Sequence, residues 1–82
     1  MAQNEIVVRV NGCMPARLRL ARWTKYGKDR LYVSEIRARI EKKYGYLDLL
    51  TNRFVWEIPY TNPRFHAAVE AAVKDYAERS LA

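Results

Sequence analysis

Cysteine, histidine and linker sequence are all scarce in this 82-residue chain. The single cysteine, Cys13, has no second thiol for an internal disulfide, so nothing in the sequence asks for an oxidising compartment. One cysteine and one histidine, His66, fall short of the four ligands of a structural zinc site. No apolar run approaches the ~18 residues that a membrane span needs, and no signal-peptide pattern opens the chain. Gly/Ser linkers, internal repeats and low-complexity tracts are missing, which leaves one unit over residues 1–82. No catalytic or cofactor motif is present. These absences point to a single-domain intracellular protein, cytoplasmic, not an enzyme, with no cofactor, no small-molecule substrate and no membrane contact.

Positive charge is what the chain does have. Fifteen Lys and Arg against nine Asp and Glu leave a net charge of +6, while half of the residues are hydrophobic, too many for a disordered basic tail. The excess sits at the front. Residues 1–33 hold Arg9, Arg17, Arg19, Arg22, Lys25, Lys28 and Arg30 against only Glu5 and Asp29, whereas residues 51–82 are balanced. Such asymmetry speaks to partners rather than to fold.

Periodicity supplies the elements. Glu5 to Val10 alternates, with Ile6, Val8 and Val10 on one face, and Asn11-Gly12 is a turn signal. From Ala16 to Trp23 alternation resumes, with Leu18 and Leu20 inward and Arg17 and Arg19 outward. A two-residue turn would set Arg17 opposite Ile6 on the apolar face. A three-residue loop, Asn11 to Cys13, instead pairs Val10 with Met14, Val8 with Ala16, Ile6 with Leu18 and Glu5 with Arg19, and is preferred. Alternation slips at Ala21-Arg22-Trp23, where a bulge is expected. Lys25 to Lys28 reads as a second hairpin turn with Gly27 in the left-handed region, and Arg30 to Val33 as a third strand.

Ser34 then reads as an N-cap, with Ile36, Ile40 and Tyr44 as the apolar stripe of a helix over about 35–44 and Gly45 ending it. Tyr46 to Leu50 fits a short strand or a helical turn equally, and residues 53–58 alternate as a strand. Asn62-Pro63 opens a helix over about 63–80, whose buried stripe is Phe65, Val69, Ala72, Val73 and Tyr76. The expected fold is α+β: a small antiparallel sheet, with three N-terminal strands as two hairpins and a later strand near 53–58, and two helices packed on one face.

The densest functional pattern runs from Arg17 to Tyr32, where six basic residues interleave with Trp23, Tyr26 and Tyr32. With helices on one face, the other shows Arg9, Arg17, Arg19, Arg30 and Tyr32. Single-stranded nucleic acid needs cations along a phosphate track and flat π-faces under its unstacked bases, and this face offers both. The expected partner is therefore nucleic acid, single strands before duplex. Arg9, Arg17, Arg19, Arg22 and Arg30 would meet phosphates, Lys25 and Lys28 would do so at the hairpin tip, and Trp23, Tyr26 and Tyr32 would stack. The plainer alternative is a solvated basic face whose aromatics pair across strands, Trp23 with Arg30 for example. Duplex contact through Arg37, Arg39, Lys42 and Lys43 of the first helix is a further possibility. A different class is a homodimer or an interaction module whose basic face meets an acidic protein. His66, just inside a helix start, reads as a polar surface residue. The chain shows neither the signature of an RNA-recognition motif nor a KH-type glycine loop.

Overall fold

The computed structural model describes residues 4–12, 14–59 and 62–81. Alternation in the front half produces two long strands and a short one: β1 (Asn4–Val8), β2 (Ala16–Lys25) and β3 (Lys28–Arg37). The β1–β2 register sets Glu5 opposite Arg19, Ile6 opposite Leu18 and Val8 opposite Ala16. This is the pairing that keeps Arg17 off the apolar face; the ladder ends at Val8 and Ala16, short of Val10 and Met14, and Cys13 lies outside the described residues. Tyr26 and Gly27, both at positive φ (53° and 73°), make the two-residue turn between β2 and β3. No bulge interrupts β2, which pairs without a shift from Leu18↔Glu35 to Lys25↔Lys28. The slip at Ala21-Arg22-Trp23 has another origin. Arg22 occupies an inward-facing position near the sheet's rim and is neutralised there by Asp29.

The expected helix over 35–44 is absent. Those residues extend β3 to Arg37, turn at Ala38-Arg39 and return as β4 (Ile40–Asp48). Ala38 sits at φ 55°, which no helix interior accepts. The Ala, Arg, Glu and Lys content favours a helix only weakly, and it is outweighed by antiparallel pairing within the segment, Ile36 with Glu41 and Arg37 with Ile40, whose ends are anchored by Leu18↔Glu35 on β2 and Gly45↔Trp56 on β5 (Arg53–Trp56). The bulge lies here instead: Val33 pairs with Gly45 but Ser34 with Lys43, leaving Tyr44 as the extra residue. Gly45 is therefore a strand residue rather than a helix terminator. Its φ is 152°, and a Cβ at this position would stand 2.1 Å from the Val55 carbonyl oxygen.

The result is a five-stranded antiparallel meander, β1-β2-β3-β4-β5, followed by one helix, α1 (Pro63–Ser80). The Asn62 side chain caps α1 by accepting from the Arg64 and Phe65 amides, and Pro63 takes the first turn. Val69 and Val73 of α1 pack fully buried against Leu18, Leu20, Leu31, Val33 and Leu47, with Phe65, Ala72 and Tyr76 partly buried at the margin. Each fully buried Leu or Val contributes roughly 1.5–3 kcal/mol. Asn4 Nδ2 donates to the Tyr76 hydroxyl and ties β1 to the helix. No helix among the described residues is long and apolar enough to cross a membrane.

Gly45→Ala tests the close approach of β4 and β5. We expect a loss above about 2 kcal/mol in urea unfolding, from a forced backbone shift and a disfavoured φ. A change within about 0.5 kcal/mol, the range of an ordinary surface substitution, would contradict it.

Candidate nucleic-acid interface

One helix serves five strands, so α1 covers one sheet face and nothing among the described residues packs on the other. Pairing and alternation assign that open face: Glu5 and Val7 from β1; Arg17, Arg19, Ala21, Trp23 and Lys25 from β2; Lys28, Arg30, Tyr32, Ser34 and Ile36 from β3; Glu41, Lys43, Tyr46 and Asp48 from β4; and Arg53 and Val55 from β5. Val7 remains 51% and Val55 40% exposed at the two edges, as uncovered positions should.

An aromatic row crosses the centre of this face. Trp23 meets Tyr32 edge-on at 6.4 Å between ring centres, and Tyr32 meets Tyr46 at 5.4 Å. Arg30 locks the row together. Its guanidinium lies 4.2 Å from the centre of the Tyr46 ring and donates to the Tyr32 hydroxyl at 3.1 Å. Trp23 does stand opposite Arg30, but the cation rests on Tyr46.

The cations run along the β2–β3 hairpin on either side of the row. Arg17 and Arg19 lie on one side, and Lys25 and Lys28 at the tip, about 27 Å from Arg17 at ~3.4 Å per strand residue. Arg17 pairs with Glu5 at 2.8 Å and Arg19 reaches Glu41 only at 4.0 Å. Exposed pairs of this kind contribute roughly 0–1 kcal/mol, so a phosphate can compete for either arginine. Tyr26 is 83% exposed in the turn, with the Lys25 ammonium 5.3 Å from its ring centre.

Seven of the ten residues singled out from the sequence thus share one face: Arg17, Arg19, Trp23, Lys25, Lys28, Arg30 and Tyr32. Tyr26 projects from its tip. Arg9 is exposed one residue beyond β1, at the rim. Arg22 belongs elsewhere: it points to the helix side, where its Nε and Nη2 donate to the two Asp29 carboxylate oxygens at 3.0 and 2.7 Å. That fork holds the Asp29 carboxyl below its usual range and engages the arginine on the opposite side from the aromatic row. Sequence reasoning missed Tyr46, Lys43 and Arg53. Tyr46 fell in a segment with two readings, and Lys43 was placed on a helix that does not form. Arg37, Arg39, Lys42 and Lys43 accordingly make no helical phosphate-binding surface. They belong to the β3–β4 hairpin, where Lys43 lines a recess beside Tyr32 and Arg39 lines another with Arg19 and Glu41.

The other polar cluster lies on the helix side, at the end of the sheet beyond α1. Glu35 is 8% exposed; its carboxylate accepts from the Tyr44 hydroxyl at 2.7 Å and from Arg37 at 3.2 Å. The bulge turns Tyr44 inward, against Trp56 and Phe65. His66 is buried too, 1% exposed, with its ring 3.9 Å from that of Trp56, whose indole N–H donates to Glu70 at 2.7 Å. The surface placement expected for His66 fails because it adjoins the stripe of Phe65, Val69 and Val73 and has an aromatic partner on β5. It lies across the sheet from the basic residues.

Burial, and then the hydrogen bond to Glu35, push the Tyr44 hydroxyl above its ordinary pKa. The folded state therefore holds this proton more tightly than the unfolded chain. The resulting stabilisation is complete below about pH 10 and is lost as pH rises beyond it. Tyr44→Phe should cost roughly 1.5–3 kcal/mol at neutral pH, by leaving a buried carboxylate short of a donor. It should also flatten the alkaline decline in unfolding free energy. Equal alkaline slopes in both proteins would contradict this role.

No family model, curated protein or solved structure matches this chain.

Proposed function

We propose that the protein binds single-stranded nucleic acid on its open sheet face. The observation that carries the reading is the Trp23–Tyr32–Tyr46 row, clamped by Arg30 and flanked by Arg17, Arg19, Lys25 and Lys28 on a face with no covering element among the described residues. Bases stack on the rings while phosphates follow the cations. Each stacked base is worth roughly 1–3 kcal/mol, so two such contacts with a few released counterions reach micromolar affinity. Duplex buries its base faces and can use only the charges.

A second reading, a protein-interaction surface or homodimer, draws on Val7 and Val55, exposed at opposite edges of the same face. Trp, Tyr and Arg anchor protein interfaces as well, so the feature that favours nucleic acid is the track of cations running along the hairpin beside the rings.

Fluorescence anisotropy with labelled single-stranded DNA, single-stranded RNA and duplex, at 50 and 200 mM salt, separates these readings. Binding should be salt-steep and tightest for a single strand; a flat titration on all three would refute the proposal. Arg19→Ala should weaken every sequence alike and lower the salt slope by about one. Trp23→Ala should cost single strands roughly 1–3 kcal/mol and duplex much less. Equal losses on both would remove the stacking role.

A further inference from the structure

The open face is not flat. Beside the aromatic row its floor is formed by the small residues Ala21, Ser34 and Gly45 on three adjacent strands, and a recess of about 330 Å³ opens over them. That volume is at the lower end of small-ligand sites. Tyr32 forms one wall, with Glu41 and Lys43 on another. Gly45 cannot be replaced by a larger residue without striking the Val55 carbonyl, so the backbone itself keeps this part of the floor open.

Two polar groups there can meet a ligand. Ser34, 9% exposed, lies on the floor of the recess. The Glu41 side chain is 47% exposed, and its nearest cation, Arg19, stands at the 4.0 Å limit of an ion pair. A carboxylate on a face built for polyanions repels phosphate, so its presence beside a base-sized recess calls for a donor-bearing ligand.

We infer that this recess takes one base against Tyr32 and favours guanine; the inference rests on the open-face reading above. The chemistry of the base edges decides the choice. An ionised carboxylate is an acceptor with two oxygens and is best met by two adjacent N–H groups. Only guanine presents such a pair on its Watson–Crick edge, N1–H beside N2–H, and its neighbouring O6 accepts from the Lys43 ammonium or the Ser34 hydroxyl. Adenine and cytosine offer one exocyclic donor beside an acceptor. Thymine and uracil offer one donor between two acceptors, which would set a carbonyl oxygen against Glu41.

The test uses labelled ten-nucleotide strands of thymidine, and of uridine, carrying a single central guanine, adenine, cytosine or no substitution. The guanine strand should bind at least about fivefold more tightly than the unsubstituted one, the lower end of what one good bidentate base contact supplies. Glu41→Gln should abolish that preference while leaving binding of the unsubstituted strand equal or tighter, since one negative charge is gone. Ala21→Leu, which fills the recess from β2, should abolish it as well and keep the salt dependence. Equal affinity for all four strands, with salt-sensitive binding retained, would overturn the guanine recess and leave the open-face reading standing. Preference for another base would overturn the guanine assignment. Failure of every strand to bind would remove the underlying reading and the recess with it.

Discussion

An eighteen-residue helix cannot cover both faces of a five-stranded sheet, and most of what distinguishes this protein depends on that constraint. Strands alternate their side chains with a period of two, so committing Leu18, Leu20, Leu31, Val33 and Leu47 to the helix commits Arg17, Arg19, Arg30, Tyr32 and Tyr46 to solvent. The basic, aromatic face is the other half of the hydrophobic pattern. A one-residue slip of β2 against β3 would bury the arginines and expose the leucines, so the face and the core stand or fall together.

The β3–β4 pair departs from simple alternation, and both departures have consequences. Its bulge turns Tyr44 into the helix side, where its hydroxyl satisfies the buried Glu35 carboxylate. The same irregularity requires a residue without a side chain at position 45, where β4 passes close to β5. On the outer face this leaves the shallow floor of Ala21, Ser34 and Gly45 beside Tyr32. A packing requirement on one side thus becomes surface relief on the other. The Arg22–Asp29 fork has the opposite effect, keeping one cation on the helix side of the sheet.

The first hairpin was legible because its register is decided locally: only the three-residue loop keeps Arg17 away from Ile6, and the structure has that pairing. Tyr26-Gly27 and Asn62-Pro63 were legible for the same reason, since turn and cap chemistry act over three or four residues. Residues 34–45 were not. Ile36, Ile40 and Tyr44 fall at helical spacing, while the structure folds Ile36 and Ile40 into a hairpin around Ala38-Arg39, a turn that no glycine or proline marks, and makes Tyr44 the bulge residue. His66 was misplaced for a different reason, since its burial depends on Trp56, a partner on another element. The candidate face survived the error because most of it lies on β2 and the first half of β3. Only the residues contributed by β4 and β5, Tyr46 and Lys43 among them, awaited the correct topology.

The two tryptophans report on opposite sides of the sheet, Trp23 beside the open aromatic row and Trp56 against α1 through Glu70. Their indole N–H signals in a ¹H–¹⁵N NMR spectrum can therefore show which face a nucleic acid meets. Titration with a short single-stranded oligonucleotide should shift or broaden the Trp23 indole signal progressively and leave that of Trp56 in place. Binding that moves Trp56 while Trp23 stays fixed, or that moves neither, would contradict the open face as the binding surface.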